Sequence, residues 1–218
     1  EEEADRMVGA IDAVRGACKL PISADTPRAR VAKVAIECGA EAINDVTGLK
    51  YDSEMARVIS KAGVAVMLGA YRKPPALSSG SVSATIRELS ESIAIARRAC
   101  IRKERIIVDP SIGFFRETGG NDFYTRITDM PWYLRDLAVL SDLGRIARLG
   151  PVCISVSAKS FLGHLLNIQD PADRLAPSLA CEIMAAQKGA SIIRTHNVRE
   201  SVQALTTASL LEHSGKRL

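Results

Sequence analysis

Six short apolar runs, each bounded by turn residues and followed by a stretch of helical spacing, constrain this chain more than any other feature. The runs are LPIS (20–23), AIN (42–44), VAVML (64–68), RIIVD (105–109), VCISV (152–156) and SIIR (191–194). They are too uniformly apolar for an antiparallel sheet with one wet face, in which apolar and polar residues would alternate. Buried strand alternating with amphipathic helix is the pattern of a parallel sheet covered by helices. The intervening stretches read accordingly. RARVAKVAIECGA puts Val31, Val34, Ala35 and Cys38 on one helical face and closes at Gly39. SEMARVISKAG opens on a candidate cap, Ser53, and also stops at glycine. SVSATIRELSESIAIARRACI is a longer amphipathic helix, and PADRLAPSLACEIMAAQKG carries Pro177, which predicts a kink or break in its early part.

The residues that follow each run narrow the fold further. Asp25 comes just after PIS, AIN ends on Asn44 with Asp45 behind it, and IIVD ends on Asp109. CISVSAK reaches Ser157 and Lys159, and SIIR leads to Arg194 and His196. Only the run ending near Gly69 lacks a polar terminus, with Tyr71 and Arg72 close behind. All strand C-termini of a parallel barrel or open sheet lie at one rim, so these groups converge. A doubly wound nucleotide-binding sheet would carry a glycine-rich turn after its first strand, and none is present. Polar groups after almost every strand fit a TIM-type (β/α)8 barrel, with about six βα units in this chain. No repeat, low-complexity segment or linker interrupts residues 1–218, which read as a single α/β barrel domain. Two loops, 71–80 and 110–120, are irregular and rich in glycine and proline, as functional loops often are.

Composition removes other classes. With 47% apolar residues and 25% charged, 218 residues can bury a sizeable core. Aromatics are 4% and the arginines are scattered, so the net charge of +4 gives no nucleic-acid platform. Five well-separated cysteines (Cys18, Cys38, Cys100, Cys153, Cys181) without CxxC spacing read as small hydrophobes in a reducing compartment. No apolar stretch approaches the ~20 residues of a membrane span, and EEEADRMVGA is acidic where a signal peptide would be basic. The expectation is a cytoplasmic protein acting on small molecules.

The polar set divides into two chemistries. Asp25, Asn44 and Asp109 offer acceptors and one amide, suited to a flat heterocycle with amino and ring N–H groups. Lys159, Arg194 and His196, with Arg116 in a nearby loop, offer positive charge suited to phosphate oxygens. Each residue alone has a plainer reading. An aspartate after a strand often caps a helix or shapes a turn, Lys159 opens a helix, and His196 could be a satisfied polar residue. His164 and His213 sit in helical contexts with no metal partner, and Cys153 reads as packing.

The motifs PISADT, EAINDVTG, RIIVDPSIGF, SAKSFLG and DRLAPSLACEIMAAQKGASIIRTHNV follow one another in order and resemble dihydropteroate synthase, an eight-stranded α/β barrel of folate synthesis. The resemblance implies a transferase that joins 6-hydroxymethyl-7,8-dihydropterin pyrophosphate to p-aminobenzoate, with Mg²⁺ assisting and pyrophosphate leaving. It implies that Asp25, Asn44 and Asp109 hold the pterin, that Phe114 and Lys159 border it, and that Arg194 and His196 hold the pyrophosphate. Lys159, Arg194 and His196 would then carry the catalysis. A homodimer and sensitivity to sulfonamides are implied by the same likeness.

Several positions depart from the family pattern. Ser111, Phe115–Arg116, Ser155, Ala158 and Asn197 replace its usual residues around the pterin and amine sites, and LGAYRKPP replaces a methionine- and histidine-bearing strand end. These changes admit two alternatives: a larger, ribosylated arylamine as in the archaeal route to methanopterin-type cofactors, or a pterin-binding paralogue without the reaction. The family's first two strands and their loops have no counterpart, and EEEADRM resembles the helix after the second strand. The expected barrel therefore lacks two strands and has uncovered strand edges. The metal ligands, expected in those loops, are unassigned.

Overall fold

The structure is a computed structural model that describes residues 2–73 and 77–214. Its strands are β1 (Ser23–Asp25), β2 (Ala42–Asp45), β3 (Ala65–Gly69), β4 (Ile106–Asp109), β5 (Phe115–Arg116), β6 (Thr125–Arg126), β7 (Val152–Ile154) and β8 (Ala190–Ile193). Its helices are α1 (Glu2–Ala17), α2 (Ala29–Glu37), α3 (Met55–Ala62), α4 (Val82–Arg98), α5 (Trp132–Ser141), α6 (Leu143–Ile146), α7 (Ser160–Leu166), α8 (Leu175–Gln187) and α9 (Val198–Ser214). Six strands form one parallel sheet in the order β1-β2-β3-β4-β7-β8, while β5 and β6 pair separately in the segment after β4. The sheet is a partial TIM-type barrel, and β1 and β8 are its edges.

Register explains which side chains face where. Ala24, Ile43, Val66 and Ile106 lie abreast across four strands, and two residues further on Leu68, Val108 and Val152 do the same. All of these are buried beneath the helices. Each such aliphatic side chain contributes roughly 1.5–3 kcal/mol on burial, and together they hold the helices to the sheet. The alternate residues, Asp25, Asn44, Met67 and Ile107, with Gly69 beside Asp109, point to the opposite, concave face. That face is where the site lies.

Local starts and stops follow residue chemistry, with three differences from expectation. Helix α3 is not capped by Ser53. Asp52 Oδ1 accepts from Glu54 N (3.0 Å) and its Oδ2 from Ala29 N (2.8 Å), tying the starts of α2 and α3 together. Pro177 neither kinks nor breaks α8. It is the third residue of that helix, where the missing N–H has no intrahelical partner to lose. The break falls earlier, at the 3₁₀ turn Pro171–Arg174, capped by Asp170 accepting from Ala172 N (2.9 Å). The 110–120 loop contains β5 and belongs to a longer excursion, 110–131, that returns through β6. Residues 74–76 of the 71–80 loop lie outside the described residues. Among the described residues no helix is long and apolar enough to cross a membrane.

Candidate active site

A cavity of about 210 Å³ opens at the C-terminal rim of the sheet. It is lined by Asp25, Asn44, Asp109, Phe114, Lys159 and Arg194, together with Val46, Gly69, Ser155, Asn121 and Phe123. Side chains contributed by β1, β2, β4, the β4–β5 loop, the start of α7 and the residue after β8 thus meet in one place.

Two edges of the sheet touch here. Asp25 Oδ2 accepts from Asn44 Nδ2 (2.8 Å) and from Arg194 Nη1 (2.8 Å). Because β1 and β8 stand at opposite ends of the sheet, this ion pair requires the sheet to curl. Desolvation pulls the Arg194 guanidinium down, but the hydrogen bond and charge of Asp25, with the charge of Asp109, outweigh it and leave the group above its ordinary value. Burial pushes the Asp109 carboxyl above the usual carboxylate range. The Ser111 N–H (2.7 Å) and the charges of Lys159, Arg194 and Arg135 oppose that shift without cancelling it. Burial also lowers Lys159, against the pull of Asp109. Its ammonium lies 5.3 Å from the centroid of the Phe114 ring, a cation–π separation.

The strand end that lacked a polar residue now has a reason. A Cβ on Gly69 would sit 2.2 Å from the carbonyl oxygen of Val46, so only glycine lets the β2 loop cross the mouth there. Tyr71 is buried and Arg72 turns outward from the cavity, its guanidinium on Glu88 of α4 (2.9 Å) and its N–H on Thr125 (2.9 Å).

Two residues expected in the mouth do not line the cavity. His196 is set beside it, with Nδ1 3.2 Å from Ser157 Oγ and its own N–H donating to the same oxygen. Arg116 is stacked 3.6 Å above the Trp132 ring and donates to Gly113 O (3.0 Å). His164 packs on Tyr133, ring centroids 4.1 Å apart, and the His213 side chain lies outside the described residues. Cys153 is buried in β7, its thiol pushed up to about 12 by desolvation, which suits packing rather than nucleophilic work.

Sequence reasoning missed the pair Arg135–Asp136 on α5. Both side chains are 0% exposed and lie 3.0 Å apart, whereas the flanking Leu134 and Leu137 are exposed. Arg135 donates to Pro110 O, Ser111 O (3.2 Å) and Thr85 Oγ1 (3.0 Å), and lies over the Phe115 ring. Asp136 Oδ2 accepts from Gly113 N (3.0 Å). The pair therefore grips the backbone of residues 110–113, where Ser111 and Gly113 hold positive φ (57° and 87°). This grip fixes the loop between Asp109 and Phe114. The signal was available: Arg135, Asp136, Val139, Leu140 and Leu143 share one helical stripe, which puts two charges on the inward face.

Among the described residues no group of three or more His, Cys, Asp or Glu side chains is arranged to hold a metal ion. Residues 1–196 match the family described as pterin binding enzyme. The chain is 32% identical over 213 residues to the dihydropteroate synthase of Clostridium beijerinckii, covering 97% of this chain and 73% of that protein. The chain belongs to the pterin binding enzymes, among the dihydropteroate synthases. A second member, from Bacillus subtilis, is 32% identical over 201 residues, of whose length the chain spans 65%. The dihydropteroate synthase of Xanthomonas albilineans in complex with 7,8-dihydropteroate superposes with a TM-score of 0.81 at 30% identity. That likeness covers 95% of this chain and 73% of the other. Dihydropteroate synthases are transferases, and the partial barrel here matches their fold.

Proposed function

We propose that this chain joins 6-hydroxymethyl-7,8-dihydropterin pyrophosphate to p-aminobenzoate and releases pyrophosphate. The observation that carries the reading is one cavity that holds acceptors, Asp25, Asn44 and Asp109, beside the cations Lys159 and Arg194. The ligand of the Xanthomonas relative, 7,8-dihydropteroate, unites both halves of that product.

In this reading the amine nitrogen attacks the exocyclic methylene of the pterin. A carbon–nitrogen bond forms, the carbon–oxygen bond to pyrophosphate breaks, and the electron pair leaves on oxygen. The amine proton passes to solvent or to the departing anion. Asp109 and Asn44 orient the heterocycle, which accounts for polar groups at the rim. Arg194 stabilises charge on the leaving oxygen, the kind of preorganised donor that lowers such barriers, and Lys159 adds charge beside the ring. His196 meets the anion at the edge of the cavity. No covalent intermediate on the protein is needed.

A Mg²⁺ ion is proposed as part of the substrate, where it would offset pyrophosphate charge as this oxygen-preferring ion does. A homodimer is proposed through α8 and α9, on which Met184, Val198, Val202 and Leu211 are exposed. Sedimentation would test it. A cytoplasmic location, proposed from the free cysteines, is checked by cell fractionation. The activity test offers the protein the pterin pyrophosphate, Mg²⁺ and p-aminobenzoate and follows pyrophosphate release. Turnover supports the reading. Turnover only with a ribosylated arylamine redirects it, and pterin binding without turnover overturns it.

A further inference from the structure

We propose that residues 117–124, the tip of the excursion between β5 and β6, form the amine-side wall of the cavity, with Asn121 and Phe123 selecting the arylamine. This rests on the transferase reading above and adds the residues that set its second substrate.

The base of the excursion is fixed. Phe115 and Thr125 are fully buried and paired, Thr125 Oγ1 accepts from Arg72 N (2.9 Å), and Ile127 is buried behind them. The tip is different, because residues 117–122 are exposed and their hydrogen bonds stay mostly within the excursion. Asn121 Oδ1 accepts from Phe123 N (2.8 Å), Asn121 O from Tyr124 N (3.2 Å), and Gly119 O from Arg126 Nη2 (2.6 Å). The tip meets the β2–α3 loop through Phe123 and Tyr51, an edge-to-face pair with centroids 5.3 Å apart. A firm base with a self-bonded tip over the rim makes a shaped wall. Asn121 and Phe123 are the tip residues that line the cavity.

Position says which substrate this wall meets. Arg194 follows β8 and is paired with Asp25 of β1, so the anion end lies where those two strands approach. The tip follows β4 and touches the loop after β2, on the other side of the mouth. The arylamine must reach the methylene from a side that the bound anion leaves open, and the tip stands on that side. The chemistry agrees. Phe123 offers a ring for edge or face contact with an aryl group, and Asn121, its Oδ1 held by Phe123 N, retains Nδ2 as a donor for a carboxylate or ring substituent.

The test measures steady-state kinetics of Phe123→Ala and Asn121→Ala, and calorimetric pterin binding without amine. Phe123→Ala should raise KM for p-aminobenzoate about threefold to tenfold, within the worth of an aromatic contact. KM for the pterin pyrophosphate and pterin affinity should stay at their wild-type values. Asn121→Ala should alter the preference between p-aminobenzoate and an arylamine lacking the carboxylate. Unchanged amine kinetics in both variants, or an effect confined to the pterin, overturns the wall while leaving the transferase reading intact. A wild-type protein that releases no pyrophosphate with any arylamine overturns that reading and the wall with it.

Discussion

Asp136→Ala should come close to unfolding the protein, and the double variant Arg135→Met/Asp136→Leu should be the more stable of the two. Arg135 and Asp136 are both 0% exposed at a separation of 3.0 Å. Deleting the carboxylate leaves a guanidinium buried without its counter-charge, at a cost of about 3–5 kcal/mol. It also orphans the Gly113 N–H, which adds about 1–3 kcal/mol. The sum rivals the roughly 5–15 kcal/mol that holds a typical domain together. In the double variant Arg135→Met/Asp136→Leu no charge is left behind, and exchange of a buried pair for apolar groups is close to neutral. The Gly113 N–H is orphaned in both variants, so what the double variant loses beyond Asp136→Ala is the donor to Pro110 O and Ser111 O, about 2 kcal/mol in all at the usual net value of each bond. The double variant should thus be the more stable of the two by about 1–3 kcal/mol, read as a shift in urea midpoint with the slope unchanged. It should nevertheless bind pterin more weakly than wild type, because the 110–113 backbone has lost its grip. A double variant less stable than Asp136→Ala, or one that binds pterin as wild type does, would refute the assigned role.

Arg194→Ala should cost about 2–4 kcal/mol at the transition state, as loss of a preorganised donor does, and a wild-type kcat in that variant would remove the anion-clamp argument. Asp109→Asn should weaken pterin binding by about 1.5–3 kcal/mol in calorimetry, the worth of hydrogen bonds to a charged acceptor. Since burial raises the Asp109 carboxyl, wild-type affinity should fall on acidification sooner than an ordinary aspartate would allow, and the asparagine variant should lack that fall. Glu88→Gln tests the network outside the site. Desolvation opposes its charge, but hydrogen bonds from Arg72 and Lys50 win and hold Glu88 below its ordinary 4.5. The stability it adds is complete above that value and is lost as pH drops through the lowered one, so the glutamine variant should show a flatter acid limb in thermal melts.

Much of the fold was legible because buried parallel strands leave a coarse mark. Five of the six runs overlap their strands almost residue for residue. LPIS is the exception, with the strand beginning only at Ser23. Pro21 has no N–H to pair and Leu20 is 72% exposed, so apolar composition there reflected a loop crossing the bottom of the sheet. The stretch that forms α5 and α6 was less readable, since its inward stripe includes Arg135 and Asp136, and charges weaken the periodic signal. The Pro177 expectation failed for a positional reason. A proline breaks a helix interior but not its first turn, and the sequence does not say where α8 starts.

Legibility of the site has a sharper limit, set by parity. Asn44 and Asp45 are adjacent at the end of β2, and composition treats them alike. Register turns Asn44 into the cavity, while Asp45 faces the helices, 0% exposed, and accepts from the Thr47 hydroxyl (2.6 Å) and the N–H groups of Thr47 and Leu49. Burial raises its carboxyl, and those bonds oppose the rise without cancelling it. Asp45 thus serves the loop and Asn44 the ligand. Arg194 and His196 have equal parity, yet parity holds only while a strand lasts. The Arg194 N–H still bonds Ile154 O (2.8 Å), after which the chain leaves the sheet and His196 follows the loop onto Ser157. Strand ends therefore bring charged residues to the rim, but the last ladder hydrogen bond decides which of them enter the cavity. Arg194, the residue on which that bond falls, is also the one that reaches across the curled sheet to Asp25.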